Sequence, residues 1–139
     1  MVSKVVKLSD LTGNEGDSLT SKVCHSWTKL HTDKLCISGP CKGERLFVGR
    51  LIPHQIAGDE IWNGCSLENG VPMVPKAKEK FRNRVEAPIL DFFKDPAHKD
   101  NTTTLTVVVQ YSSNSTGRAV GFTVLNDILP GYSMYIPNV

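Results

Sequence analysis

Thiols and imidazoles crowd the first half of this sequence: Cys24, His25, His31, Cys36, Cys41, His54 and Cys65. Zinc takes tetrahedral thiolate and imidazole ligands, ordinarily supplied as close pairs. Cys36 and Cys41 have the spacing of one such pair, with a Gly39-Pro40 bend between them. His31 or Cys24, with Cys65, would have to complete the set, and a second close pair is missing. The reading is therefore no metal and no cofactor. Cys36 and Cys41 remain either reduced core thiols or, in an oxidising compartment, a bridge.

A cysteine nucleophile needs a base and room for substrate. Trp62-Asn63-Gly64-Cys65-Ser66 offers the room, and His98 or His54 the imidazole, with Asp100 or Asn101 to orient His98. This is the order of a thiol hydrolase, but triads are recognised by geometry rather than by order. No catalytic residue is assigned, and the expectation is a protein that is not an enzyme.

Lys76, Lys78, Lys80, Arg82 and Arg84 surround a single acidic residue, Glu79. On a helix, Lys76, Lys80 and Arg84 form one stripe, with Lys78 and Arg82 read as a second stripe adjoining it. Such a patch would contact phosphates and make the chain a small nucleic-acid-binding module. The competing reading is a solvated helix face, favoured by a formal net charge of only +2.

Carboxyl-terminal chemistry is of another kind. Tyr132, Met134, Tyr135 and Ile136 put large adhesive side chains where chains are usually polar and loose, and Tyr and Met are enriched at interface cores. These four are the expected oligomer contact.

The elements that hold these residues follow from periodicity. Leu105, Val107, Val109 and Tyr111 alternate with Thr104, Thr106, Val108 and Gln110, and Val120, Phe122 and Val124 alternate after a polar loop at 112–117. Two antiparallel strands over 104–111 and 118–125 result. A strand is expected over 2–11, a helix capped by Asp17 or Ser18 with Leu19, Val23, Trp27 and Leu30 on one face, and a strand buried on both faces over 44–52. Residues 53–75 read as a long irregular stretch. Pro75 opens a helix over 76–86, Pro88 interrupts it, a second helical turn spans 87–94, and 132–137 forms a last edge strand.

The fold class expected is α+β: a mostly antiparallel β-sheet with one or two helices packed on a face, in one domain over residues 1–139. The alternative is a β-sandwich with helical insertions. Composition, at 40% hydrophobic and 22% charged, is that of a globular chain. No apolar run reaches the ~20 residues of a membrane span, and the amino end has no secretory h-region. The expected location is cytoplasmic, or a virion if the source is viral. In that setting the acceptor patterns Asn101-Thr102-Thr103 and Asn114-Ser115-Thr116 would be idle. With no catalytic motif, the sequence points to a non-enzymatic, self-associating structural or interaction protein. A capsid or matrix-type subunit that forms a homo-oligomer is the concrete case.

Overall fold

The computed structural model describes residues 2–11, 35–36, 39–57, 70–111 and 119–139. Within them the chain is an α+β fold. Strands β1 (Val2–Lys7), β4 (Thr102–Tyr111), β5 (Ala119–Asn126) and β6 (Ser133–Pro137) form one sheet in the order β1-β4-β5-β6, with every neighbour antiparallel. Strands β2 (Phe47–Arg50) and β3 (Gly70–Met73) pair in a separate two-stranded ribbon. A short helix α1 (His54–Ala57) lies between them in sequence.

Alternation in β4 and β5 decides which side of the sheet is the core. Val107 lies opposite Val124 and Val109 opposite Phe122 on the inner surface, and Leu105, Val107, Phe122 and Val124 are buried. Tyr111 departs from the expected pattern. The register shifts between Gln110 and Tyr111, and the ring is exposed rather than inward. On β1, Val6 turns inward beside Thr103 and Ile136 does the same on β6. Burying each such side chain contributes about 1.5–3 kcal/mol.

The layer over that inner surface is helical, which sets the β-sandwich alternative aside. Phe81 meets Phe122 edge-to-face with ring centroids 5.3 Å apart. The helical rod runs from α2 (Pro75–Phe81) through a π-helical turn (Arg82–Glu86) into α3 (Ala87–Lys94). Pro75 starts it at the first helical positions, where a missing N–H is harmless. Pro88 does not interrupt it, contrary to the sequence expectation. A proline within an α-helix removes a donor and collides with the carbonyl four residues back. Here the preceding turn is widened, and the Ala87 N–H bonds to the Arg82 carbonyl five residues back.

The buried positions Ala77, Phe81, Val85, Ile89 and Phe93 recur strictly every four residues. An α-helix of 3.6 residues per turn would swing such a stripe sideways by about 40° at each step. The wider turn rotates it back toward the sheet. Asp95 then leaves helical geometry before Pro96 and accepts the Ala97 N–H at 2.9 Å, starting a short 3-10 turn, Pro96–His98.

Several sequence expectations change at other elements. The strand over 2–11 stops at Lys7, whose N–H bonds to Asp10 as a 3-10 turn, Leu8–Asp10, begins. The stretch over 44–52 is no central strand: only 47–50 form a strand, Arg45 makes an isolated antiparallel bridge with Leu35, and Phe47 is 41% exposed. Leu46, Leu51 and Ile52 reach the core from the ends of the ribbon instead. The stretch over 53–75 contains α1 and β3. The helix expected from Asp17 or Ser18 and the polar loop at 112–117 lie outside the described residues.

Asn138 joins the two sheets. Its side chain is fully buried, and Oδ1 accepts the Val74 N–H at 2.9 Å. Nδ2 donates to the Pro72 carbonyl at 3.1 Å and to the Ala119 carbonyl at 2.9 Å. One amide thereby ties the end of β3 and the entry to α2 to the start of β5.

Candidate interaction surface

With the helical rod on the inner side, the sheet's outer side is read directly from the register. One row across the strands is Ser3, Thr106, Leu125 and Ser133; the next is Val108, Thr123 and Tyr135; a third is Gln110, Gly121 and Pro137. Val5 and Thr104 extend the surface at the β1 side. Among these residues there is no charged side chain; the next pair on the same side, Lys7 and Thr102, brings one exposed lysine at the end of β1. Val5 is 58% exposed, Tyr135 53% and Leu125 41%. The hydroxyls partly satisfy one another: Ser3 Oγ and Thr106 Oγ1 lie 2.9 Å apart, and Gln110 Nε2 donates to Thr123 Oγ1 at 3.3 Å.

Gly121 is part of this surface for a steric reason. Tyr135 leans diagonally over it, so that a Cβ at position 121 would strike the phenol hydroxyl and ring. The glycine lets the aromatic ring lie down on the sheet, the diagonal arrangement that covers strand glycines.

The four tail residues are divided by β6. Ile136 is buried in the core and Met134 packs against it, whereas Tyr135 and Tyr132 are exposed, the latter at 70%. Tyr132 also has a positive φ of 62°, directly after Gly131 at 71°. A left-handed residue other than glycine carries about 1–2 kcal/mol of strain. Val5 and Leu125 were not singled out from the sequence. The signal was present: adjacent Val5 and Val6 cannot both face inward, and Leu125 is out of phase with Val120, Phe122 and Val124.

The cationic run is divided as well. Because Ala77, Phe81 and Val85 are buried, Lys76, Lys80 and Arg84 fall on one flank of the rod and Lys78 and Arg82 on the other. The two stripes do not adjoin. Lys78 stands over the Phe47 ring, its Nζ 5.7 Å from the centroid.

Cys36 and Cys41 form a disulfide, with Cα atoms 5.8 Å apart and both residues buried. The bridge closes a turn in which Gly39 has a positive φ, and Gly43, two residues beyond Cys41, has one as well. Neither sulfur remains to ligate zinc or act as a nucleophile. No group of three or more potential metal ligands occurs among the described residues. Cys65 lies outside them, as do His25, His31 and Cys24. His98, one of the two candidate bases, donates its Nδ1–H to the Phe92 carbonyl at 2.9 Å, and its ring stacks on Phe92 with centroids 4.0 Å apart. No helix among the described residues is long and apolar enough to cross a membrane.

Comparison with protein-family models, curated proteins and solved structures finds no match to this chain.

Proposed function

We propose that this chain is a non-enzymatic, self-associating structural or interaction protein whose contact is the outer side of its four-stranded sheet, met by a second copy. The observation that carries the reading is that surface, free of charge apart from Lys7 at the end of β1 and studded with exposed Val5, Leu125 and Tyr135. A two-fold contact sets the same patch against itself, with groups at the axis meeting their own copies, so a patch of one charge sign would repel itself, whereas hydroxyls and apolar side chains do not. Tyr132 supports the same reading. Glycine or asparagine would occupy its left-handed position more cheaply, and an exposed aromatic ring there suits a contact residue. Subunits of shells and matrix layers work by such contacts.

The second reading, nucleic-acid binding through Lys76, Lys78, Lys80, Arg82 and Arg84, has less geometric support because the cations occupy two flanks of the rod. The cytoplasmic location expected from the sequence is not the one we propose. A buried Cys36–Cys41 bridge favours an oxidising compartment.

Size-exclusion chromatography with light scattering tests the main reading. The native chain should run as a defined oligomer, and Leu125→Lys and Tyr135→Lys should each shift it toward monomer with unchanged circular dichroism. Tyr132→Asn should weaken assembly while raising the melting temperature of the monomer. A native chain that is monomeric at several hundred micromolar would overturn the proposal.

A further inference from the structure

We infer that Asn101 is an acceptor for an N-linked glycan. The acceptor pattern Asn101-Thr102-Thr103 alone is common, and it would be idle in a reducing compartment. Two structural observations now bear on it independently of self-association. The first is the Cys36–Cys41 disulfide, which suits the same oxidising lumen in which such glycans are attached. The second is the position of Asn101. It is exposed and follows the 3-10 turn Pro96–His98, where its backbone N–H bonds to the His98 carbonyl at 3.0 Å. It precedes the pair Lys7–Thr102, so a glycan there would project from the end of the sheet.

The third residue of the pattern fixes the order of events. Thr103 is buried, its hydroxyl donating to Asp127 and accepting from Asn126 Nδ2 at 2.8 Å. An enzyme reading that hydroxyl must do so before β4 and β5 close on each other. The donor would be a lipid diphosphate-linked oligosaccharide. The Asn101 amide nitrogen forms a bond to the first sugar's anomeric carbon and gives up one proton to a base of the transferase. The carbon–oxygen bond to the diphosphate breaks, and the lipid diphosphate leaves with the electron pair. After folding, the acceptor asparagine carries its sugar into solvent while Thr103 is sealed inside.

Peptide mapping by mass spectrometry, on the full chain as isolated from the cells that make it, tests this. The peptide containing Asn101 should carry an N-acetylhexosamine-based mass. Peptide-N-glycosidase treatment in heavy-oxygen water should remove that mass and leave a labelled aspartate. Asn101→Gln should abolish the addition with unchanged circular dichroism, and the lipid-linked donor together with its oligosaccharyltransferase should modify the reduced, unfolded chain but not the folded one in vitro. A bare Asn101, a glycan on Asn114 alone, or free thiols at Cys36 and Cys41 in the same sample would each overturn the inference.

Discussion

At the scale of single residues, Asn138 illustrates how much one buried amide can specify. It satisfies two carbonyls and one N–H that belong to different parts of the chain, and water cannot replace it because the side chain is fully buried. Leaving a buried polar group unpaired costs about 1–3 kcal/mol. Asn138→Ala should therefore lower stability by roughly 3 kcal/mol in urea titration, since the three orphaned groups relax only in part. Asn138→Asp should be worse near neutral pH, because its oxygens would face the Pro72 and Ala119 carbonyls where an amide donor now stands. Nothing in the sequence marked this residue: an asparagine after Pro137 reads as an ordinary polar end. The alternation that put Ile136 inside was readable, but partners at Pro72 and Val74 are brought in only by tertiary packing.

The helical rod shows the same division at the scale of elements. Its start at Pro75 and its apolar positions were legible, while the effect of Pro88 was not inferred correctly from local rules. A proline normally ends a helix. Yet the strict four-residue repeat of Ala77, Phe81, Val85, Ile89 and Phe93 already demanded an underwound turn, which the π-helical segment supplies. Packing and proline therefore require the same distortion. Pro88→Ala returns an N–H and removes the ring, a change worth about 3 kcal/mol in a free helix interior. Here it should gain less than about 1 kcal/mol in thermal or urea unfolding, because regularising the turn would rotate Ile89 and Phe93 off the sheet. A full gain would show that proline alone imposes the turn. The ribbon of β2 and β3 was misjudged for the opposite reason. A near-continuous apolar run within 44–52 suggested a strand buried on both faces, but it serves a two-stranded ribbon whose ends are buried.

On the scale of the whole molecule, the sheet divides the protein into a covered side and an open one, and the disulfide adds a covalent clamp to the ribbon region. Which thiols would pair was open in the sequence, because spacing allows a ligand pair, a bridge or two free sulfurs; the turn geometry around Gly39 and Gly43 decides among them. A bridge closing so short a loop restricts the unfolded chain by about 2 kcal/mol in the loop-entropy model. Replacing both Cys36 and Cys41 with Ala should lower the urea midpoint by at least that equivalent, and dithiothreitol should destabilise the native chain but not the double variant. Equal sensitivity of both proteins would locate the redox effect elsewhere. The candidate contact surface was only half visible beforehand. Thr104, Thr106, Val108 and Gln110 showed an uncharged face, but its continuation through Val5, Leu125 and Tyr135 depends on strand order, which no local pattern encodes.

The pairing of β1 with β4 sets a timetable for the chain. A strand at residues 2–7 finds its partner at 102–107, and translation proceeds at about 5–20 residues per second. Strand β1 therefore waits on the order of ten seconds before β4 exists. During that interval its valines are without their native cover, so slower synthesis should raise the demand for a chaperone that shields β1.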